Sequence, residues 1–168
     1  DPYVKDGLAE SGLTSIVLPS VKTAREGVEL IAKIVEEKGA AEGNIVTIAD
    51  KEGVWYMEIL SGHQYAAILF PEDRFAVFPN TFFLGHVDLS DTERTIASKD
   101  LEKVAKDANS YKEVDGKFHV SQSYNPPLHA RGPRGCRSAA ERRGLRRRGD
   151  PARRRGTDPL RARKRPHT

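Results

Sequence analysis

Four short β-type runs between residues 44 and 80 constrain the fold of this chain more than any other feature. Apolar and polar residues mix in NIVTIAD (44–50) and VWYMEIL (54–60), and QYAAILF (64–70) and FAVFPN (75–80) follow. The turn sequences DKEG, SGH and PED separate the runs. Loops of about four residues join strands that are antiparallel neighbours. We therefore predict a four-stranded antiparallel meander.

The segment TAREGVELIAKIVEEKG carries the signals of an amphipathic helix. Thr23 and Glu26 have capping-box spacing, and Gly39 provides a stop. The apolar residues Val28, Ile31 and Val35 recur at helical spacing and predict a face that packs on the sheet.

A second helix is expected after the meander. Ser98 stands as an N-cap before KDLEKVAKDA, with Leu101, Val104 and Ala105 facing inward. KFHVSQSY then suggests one more strand. Sheet and helices together predict an α+β fold.

The composition changes after Tyr124, so we divide the chain into a body, residues 1–124, and a tail, residues 125–168. The body holds 13 Lys and Arg against 21 Asp and Glu, a net charge of −8, whereas the tail holds 15 against 3, a net charge of +12. All aromatic residues lie in the body. The tail therefore lacks large side chains for a core and is expected to be disordered.

Two interpretations of the Arg-rich tail remain open. In the first, the tail is frame-shifted sequence, because Arg, Gly, Pro and Ala are the residues that GC-rich codons encode when a gene is read out of frame. In the second, the tail is a genuine arm whose dispersed cations bind nucleic acid or another polyanion. The only cysteine, Cys136, lies there, which excludes an internal disulfide and a cysteine metal cluster. No stretch approaches the roughly 18 apolar residues of a membrane helix.

Asn80 and Glu58 are polar residues within β-type runs. Asn80 stands between FAVFP and TFFLG, where composition indicates a turn residue and where its amide could also donate to a developing oxyanion. Glu58 is predicted to share a strand face with Tyr56, as a solvated or paired carboxylate or as a catalytic one.

Other polar residues offer weaker chemistry. His63 at a strand end is a turn residue, or else a base or ligand. Arg25 in the first helical turn is a surface residue, or else has a specific carboxylate partner that offsets its unfavourable position. His86 and Asp88 would face one way on a strand, but a third metal ligand is lacking, so we expect no metal and no cofactor. No standard hydrolase or nucleotide-binding motif occurs.

The order of segments in the body resembles the bacterial cysteine dipeptidases of the dipeptidase A type. The similarity lies in DPY with GLAESGL, LPSVKTAREGVELI, IADKEGVWYMEILSGHQYAAI and FAVFPNTFFLG, covering about residues 1–120. These enzymes are N-terminal-nucleophile hydrolases, so the resemblance implies part of an αββα sandwich, with two stacked antiparallel sheets between helix layers.

The resemblance also implies an activity and a role for one residue. In the family the thiolate of an N-terminal cysteine attacks the peptide carbonyl of the dipeptide and forms a thioester intermediate. Asn80 matches the asparagine that donates a hydrogen bond to the oxyanion. We expect the full-length family to take dipeptides, without a cofactor or membrane contact, in the cytoplasm, and to include homo-oligomers.

The chain departs from the family at both ends. It begins at Asp1, without the segment expected to carry the nucleophile, and the family pattern stops after about Tyr124. We expect an internal, inactive fragment of a dipeptidase. The alternative is a small α+β protein that binds nucleic acid through its basic C-terminal arm.

Overall fold

The computed structural model of the chain describes residues 1–125. Four helices lie in this part, namely α1 (Glu10–Val17), α2 (Ala24–Lys38), α3 (Leu101–Asp107) and α4 (Val120–Tyr124). The six strands there are β1 (Asn44–Asp50), β2 (Gly53–Ile59), β3 (Tyr65–Leu69), β4 (Thr95–Ala97), β5 (Glu113–Val114) and β6 (Lys117–Phe118). The α+β class predicted from the sequence is confirmed.

Strands β1 to β4 form one antiparallel sheet in the order β1-β2-β3-β4. Met57 of β2 lies between Val46 of β1 and Ala67 of β3, and this register places the odd-numbered residues of β2 on one face and the even-numbered residues on the other. The meander is confirmed, and its first three strands are those predicted.

The fourth strand was predicted in the wrong place. Residues 75–80 form no strand, and Thr95–Ala97 pairs with β3 instead. Phe75 and Val77 are 92% and 80% exposed, so this apolar run does not supply a buried sheet face. Pro79 also lacks the N–H that a ladder position requires. Residues 70–94 thus form a long connection between β3 and β4.

Helix α2 begins and ends as its sequence predicts. The hydroxyl of Thr23 accepts a hydrogen bond from the Glu26 N–H, and the Glu26 carboxylate accepts one from the Thr23 N–H. Gly39 ends the helix at a φ of 75°. Asp50, at the end of β1, accepts a hydrogen bond of 2.7 Å from the Ala24 N–H, which ties the start of the helix to the sheet.

Two hydrophobic clusters use opposite faces of the sheet. Trp55, Met57 and Ile59 pack against α1 and α2, whose buried residues include Leu13, Val17, Val28, Ile31 and Val35. Tyr56 and Leu60 belong to the second cluster with residues of α3, α4 and the long connection, including Leu84, Val87, Leu101 and Val120. Sheet β1–β4 therefore lies between two apolar layers.

Three local predictions need correction. Ser98 does not cap α3, which starts later, after Asp100, because the Ser98 hydroxyl bonds to Gln64 and Tyr65 at the end of β3. Val104 is only half-buried, whereas Leu101 and Ala105 are buried as expected.

Residues 117–124 were predicted as one strand, but only Lys117–Phe118 is strand (β6) and helix α4 follows. The helix starts there because the His119 side chain accepts a hydrogen bond from the Gln122 N–H. Helix α1 was not predicted.

The second large sheet of the sandwich stays a prediction, since the other sheet described within residues 1–125 is the β5–β6 hairpin. The predicted boundary after Tyr124 also stays a prediction, because Cys136 and nearly all of the Arg-rich tail lie outside the described residues. Within the described part, no helix has the length and apolar character needed to cross a membrane.

Candidate functional site

The carboxyl group of Glu58 is buried beneath the long connection. Strand alternation puts Glu58 and Tyr56 on the same face of β2, as predicted, and the two residues are 0% and 1% exposed. Glu58 Oε1 accepts hydrogen bonds from the Tyr56 hydroxyl at 2.7 Å and from the backbone N–H groups of Phe83 and Leu84. The carboxyl group is thus paired within the protein rather than solvated.

Burial and hydrogen bonding act in opposite directions on Glu58. Desolvation raises its pKa, and the hydrogen bonds from Tyr56, Phe83 and Leu84 lower it by a smaller amount. Glu58 Oε2 is buried and has no hydrogen-bond partner among the described residues. Desolvation also raises the pKa of Tyr56, and the hydrogen bond to Glu58 raises it further, so its hydroxyl stays protonated and donates.

Residues 78–84, which we call the Asn80 loop, are held at both ends. At the first end the ring of Phe78 stacks on Tyr56, with 4.1 Å between ring centroids and 21° between planes. At the other end the N–H groups of Phe83 and Leu84 point to Glu58. The two anchors are neighbours on one face of β2, so the loop is fixed against the sheet.

The Asn125 side chain holds the middle of the Asn80 loop. Its Oδ1 accepts a hydrogen bond of 2.7 Å from the Thr81 hydroxyl, and its Nδ2 donates one of 2.9 Å to the Phe82 carbonyl. The Leu84 carbonyl in turn accepts the Ser121 N–H of α4. Contacts from α4 and the residue after it therefore add to those from β2.

Asn80 is an exposed residue at the bend of this anchored loop. The Thr81 N–H donates to the Pro79 carbonyl at 2.7 Å, which closes a three-residue turn around Asn80. The turn position agrees with the composition of the segment. An exposed amide on a fixed backbone can donate to an oxygen outside this segment. The oxyanion role itself stays a prediction.

His63 lies in the turn between β2 and β3, at the far end of β2 from the turn to β1. Its N–H donates to Asp1 Oδ2 at 2.6 Å, and its Nδ1 is 3.4 Å from Asp1 Oδ1. Both residues line an open polar depression with Asp100, Lys103 and Asp107. The turn prediction for His63 is correct, and the depression is too open and charged to serve as an apolar substrate pocket.

Arg25 has the carboxylate partner that its position suggested. Its Nε lies 2.8 Å from Glu29 Oε1, one turn along α2. Its Nη1 and Nη2 donate to the carbonyls of Glu93 and Thr92, and its guanidinium lies 5.5 Å from the Trp55 ring centroid. These contacts join α2 to the long connection and describe a structural role.

His86 and Asp88 do not lie on a strand, contrary to the premise of the metal hypothesis. Asp88 Oδ1 instead accepts the N–H and hydroxyl of Ser90, and these hydrogen bonds lower the Asp88 pKa. Within residues 1–125 no group of three His, Cys, Asp or Glu side chains is arranged to hold a metal ion.

Sequence reasoning missed most of the contacts that hold the Asn80 loop. The two-residue spacing of Tyr56 and Glu58 was the one local signal, since it places both on one face of β2. Asn125, which binds the Thr81 hydroxyl, lies 44 residues away along the chain, and no sequence pattern indicates this contact.

Comparison with known proteins supports the family suggested by the sequence. The family model for peptidase family C69 matches residues 1–130. A probable dipeptidase B of Streptococcus pyogenes serotype M1 is 78% identical over 129 residues, which is 77% of this chain and 26% of the relative.

More distant relatives give the same result. A probable dipeptidase of Salmonella dublin is 39% identical over 126 residues, 74% of this chain and 29% of the relative. A probable dipeptidase B of Lactococcus lactis is 39% identical over 109 residues, 65% of this chain and 23% of the relative. The chain thus spans about a quarter of the length of these relatives. The match over most of the chain shows that it belongs to peptidase family C69.

Proposed function

We propose that residues 1–125 are the part of a dipeptidase that presents Asn80 to the peptide carbonyl of the substrate. The observation that carries this proposal is an exposed amide at the bend of a loop that is anchored on both sides by buried contacts. Preorganised donors stabilise developing charge best because they need no reorganisation during the reaction. The names of the relatives supply dipeptides as the substrate class.

The proposed chemistry needs a thiolate from elsewhere in the parent protein. The thiolate attacks the carbonyl carbon of the dipeptide, the C–N bond breaks as the leaving amine takes up a proton, and water then hydrolyses the thioester. Asn80 Nδ2 donates to the carbonyl oxygen as negative charge develops there. The only cysteine, Cys136, lies beyond the family match, so we propose that the chain alone is inactive.

The other expectations for the parent protein belong to the same proposal. They are a cytoplasmic location, the N-terminal-nucleophile sandwich and assembly into homo-oligomers. The nucleic-acid alternative depends on the tail, since residues 1–124 carry a net charge of −8, which on the whole repels a polyanion.

A chimera tests the proposal directly. Residues 1–130 of this chain would replace the matching segment of the S. pyogenes probable dipeptidase B, to which the chain is 78% identical. We expect dipeptide hydrolysis within about tenfold of the unmodified relative, since most mutations between close relatives preserve packing. The relative with this segment deleted, and the present chain alone, serve as inactive controls.

Two results would contradict the proposal. A folded chimera that cleaves none of a panel of dipeptides, while the unmodified relative cleaves them, would remove the assigned role of the segment. Activity that survives complete alkylation with iodoacetamide would contradict the thioester route, because the attacking group would then not be a thiolate.

A further inference from the structure

We propose that Glu58 is the positioning residue for Asn80. The chemical consequence depends on the proposed function of Asn80, but the structural claim, that Glu58 fixes the Asn80 loop, can be measured in the present chain without any activity. Glu58 would act through the loop backbone and would not touch the substrate.

The geometry places Glu58 at the point where strand and loop meet. A single oxygen, Oε1, accepts from the N–H groups of two consecutive loop residues, Phe83 and Leu84, and from the Tyr56 hydroxyl. The same tyrosine ring stacks on Phe78 at the other end of the loop. One buried pair, Tyr56 and Glu58, therefore holds both ends of the segment that contains Asn80.

A role in packing alone does not explain a carboxyl group at this position. Glu58 is fully buried in an apolar cluster that contains Leu84 and Leu101, and burying a carboxyl group there is unfavourable. A leucine would fill the same space without that cost, but it would leave the N–H groups of Phe83 and Leu84 without an acceptor. The buried carboxyl group is explained by its hydrogen bonds to the loop backbone.

Precise placement matters for an oxyanion donor. A displacement of about 1 Å can reduce a rate 10²-fold, because the donor must meet the oxygen at hydrogen-bond distance. Asn80 is three residues from Phe83, so loss of the Glu58 contacts would release the loop near its bend. Glutamine keeps an amide oxygen that can replace Oε1, whereas leucine has no acceptor.

The first experiment measures amide hydrogen exchange by NMR in the present chain and in Glu58→Leu, Glu58→Gln and Glu36→Leu. We expect exchange at Phe83 and Leu84 to rise at least tenfold in Glu58→Leu and to stay within about threefold in Glu58→Gln. Glu36→Leu is the matched control, because Glu36 accepts from the Tyr65 hydroxyl at 2.6 Å on the opposite face of the same sheet. It should leave Phe83 and Leu84 unchanged.

If Glu58→Leu does not fold, the amide exchange rates of the unmodified chain test the proposal instead. The N–H groups of Phe83 and Leu84 should then exchange at least 10²-fold more slowly than those of Ala76 and Val77, which lie in the exposed part of the same connection. Exchange as fast as at Val77 would overturn the proposal. Equal loss of protection in Glu58→Gln and Glu58→Leu would overturn it as well.

The second experiment uses the chimera and separates the two proposals. Glu58→Leu should lower kcat at least tenfold with KM within about threefold, and Glu58→Gln should recover most of the loss. In an Asn80→Ala background Glu58→Leu should have no further effect on kcat, because its effect passes through Asn80. An additive loss would overturn the positioning role. If the chimera is inactive but the Phe83 N–H exchanges slowly, the proposed function is rejected, whereas the structural claim that Glu58 fixes the Asn80 loop stands.

Discussion

Asn80 is exposed, yet Phe78 before it stacks on the buried Tyr56 and Leu84 after it donates to the buried Glu58, and this contrast gives a sharp prediction. In the active chimera, Asn80→Ala should lower kcat by about 10²- to 10³-fold with little change in KM, because the donor acts mainly in the transition state. Asn80→Asp should be as damaging, since an ionised carboxylate cannot donate.

Steady-state kinetics with a saturating dipeptide would check this prediction. Asn109→Gly provides the control, since Asn109 lies outside the Asn80 loop at a φ of 53°, which glycine adopts without strain. A kcat for Asn80→Ala within threefold of the parent chimera would exclude the oxyanion role.

Glu58 should also affect the pH dependence of stability. Its folded-state pKa lies above the ordinary value of 4.5, mainly because of desolvation, so between these two values the folded state binds more protons than the unfolded state. The free energy of unfolding should therefore fall as pH rises from 4.5 through the folded-state pKa, by at most about 1.4 kcal/mol per pH unit. Glu58→Gln cannot titrate and should lack this fall.

Urea unfolding at intervals from pH 4 to pH 8 would measure the difference between the two proteins. Asp88→Asn is a useful control, because the hydrogen bonds from Ser90 lower the Asp88 pKa and confine its effect to pH values below the ordinary 3.8. A constant difference between the original chain and Glu58→Gln across this range would show that the Glu58 pKa is the same in the folded and unfolded states, contrary to the expected rise.

At the scale of single elements, the start of α2 combines three hydrogen bonds from two pairs of residues. Thr23 and Glu26 form the capping box, and the Ala24 N–H is bound by Asp50 of β1. Thr23→Ala removes the hydroxyl acceptor and should lower the free energy of unfolding by about 1 kcal/mol. Thr23→Ser keeps the hydroxyl and should lose much less. Urea midpoints would decide, and equal midpoints for the two variants would refute the contribution of the cap.

Local signals explain which elements could be predicted from the sequence. Helix α2 has a cap, an apolar stripe and a glycine stop, and β1 to β3 are joined by short turns, so each was predictable from neighbouring residues. Strand β4 was not, because its place beside β3 follows a 25-residue connection, residues 70–94, and depends on pairing that periodicity does not reveal. Residues 75–80 show the converse, an apolar run that forms no strand and in which Phe75 and Val77 remain exposed.

The candidate site was predictable only in part for the same reason. The sequence indicated Asn80 as a turn residue and put Glu58 beside Tyr56 on one strand face. It did not show that Glu58 is fully buried, since this depends on Phe83 and Leu84 folding back over the strand. Contacts that join distant segments leave no pattern in either segment alone.

At the scale of the whole molecule, both described hydrophobic clusters are built from residues 1–125. A chain truncated after Asn125 should therefore fold, with a thermal unfolding midpoint within about 2 °C of the full chain, because the sheet keeps α1 and α2 on one face and its second cluster on the other. Calorimetry on both chains would test this. A truncated chain without a cooperative transition would show that residues after Asn125 are needed for the core.

The same pair of chains tests the polyanion-binding alternative, because the two parts of the chain have opposite charge. Residues 125–168 carry a net charge of +12 without an aromatic residue, so binding should rest on phosphate contacts and show little preference for single-stranded over duplex DNA. Fluorescence anisotropy should give an affinity for the full chain that falls at least 10²-fold between 50 and 200 mM salt, and none for the truncated chain. Binding that is driven only by counterion release becomes much weaker as salt rises. Sub-micromolar binding that persists at 200 mM salt would therefore contradict a merely electrostatic interaction and would make nucleic-acid binding a function of this chain.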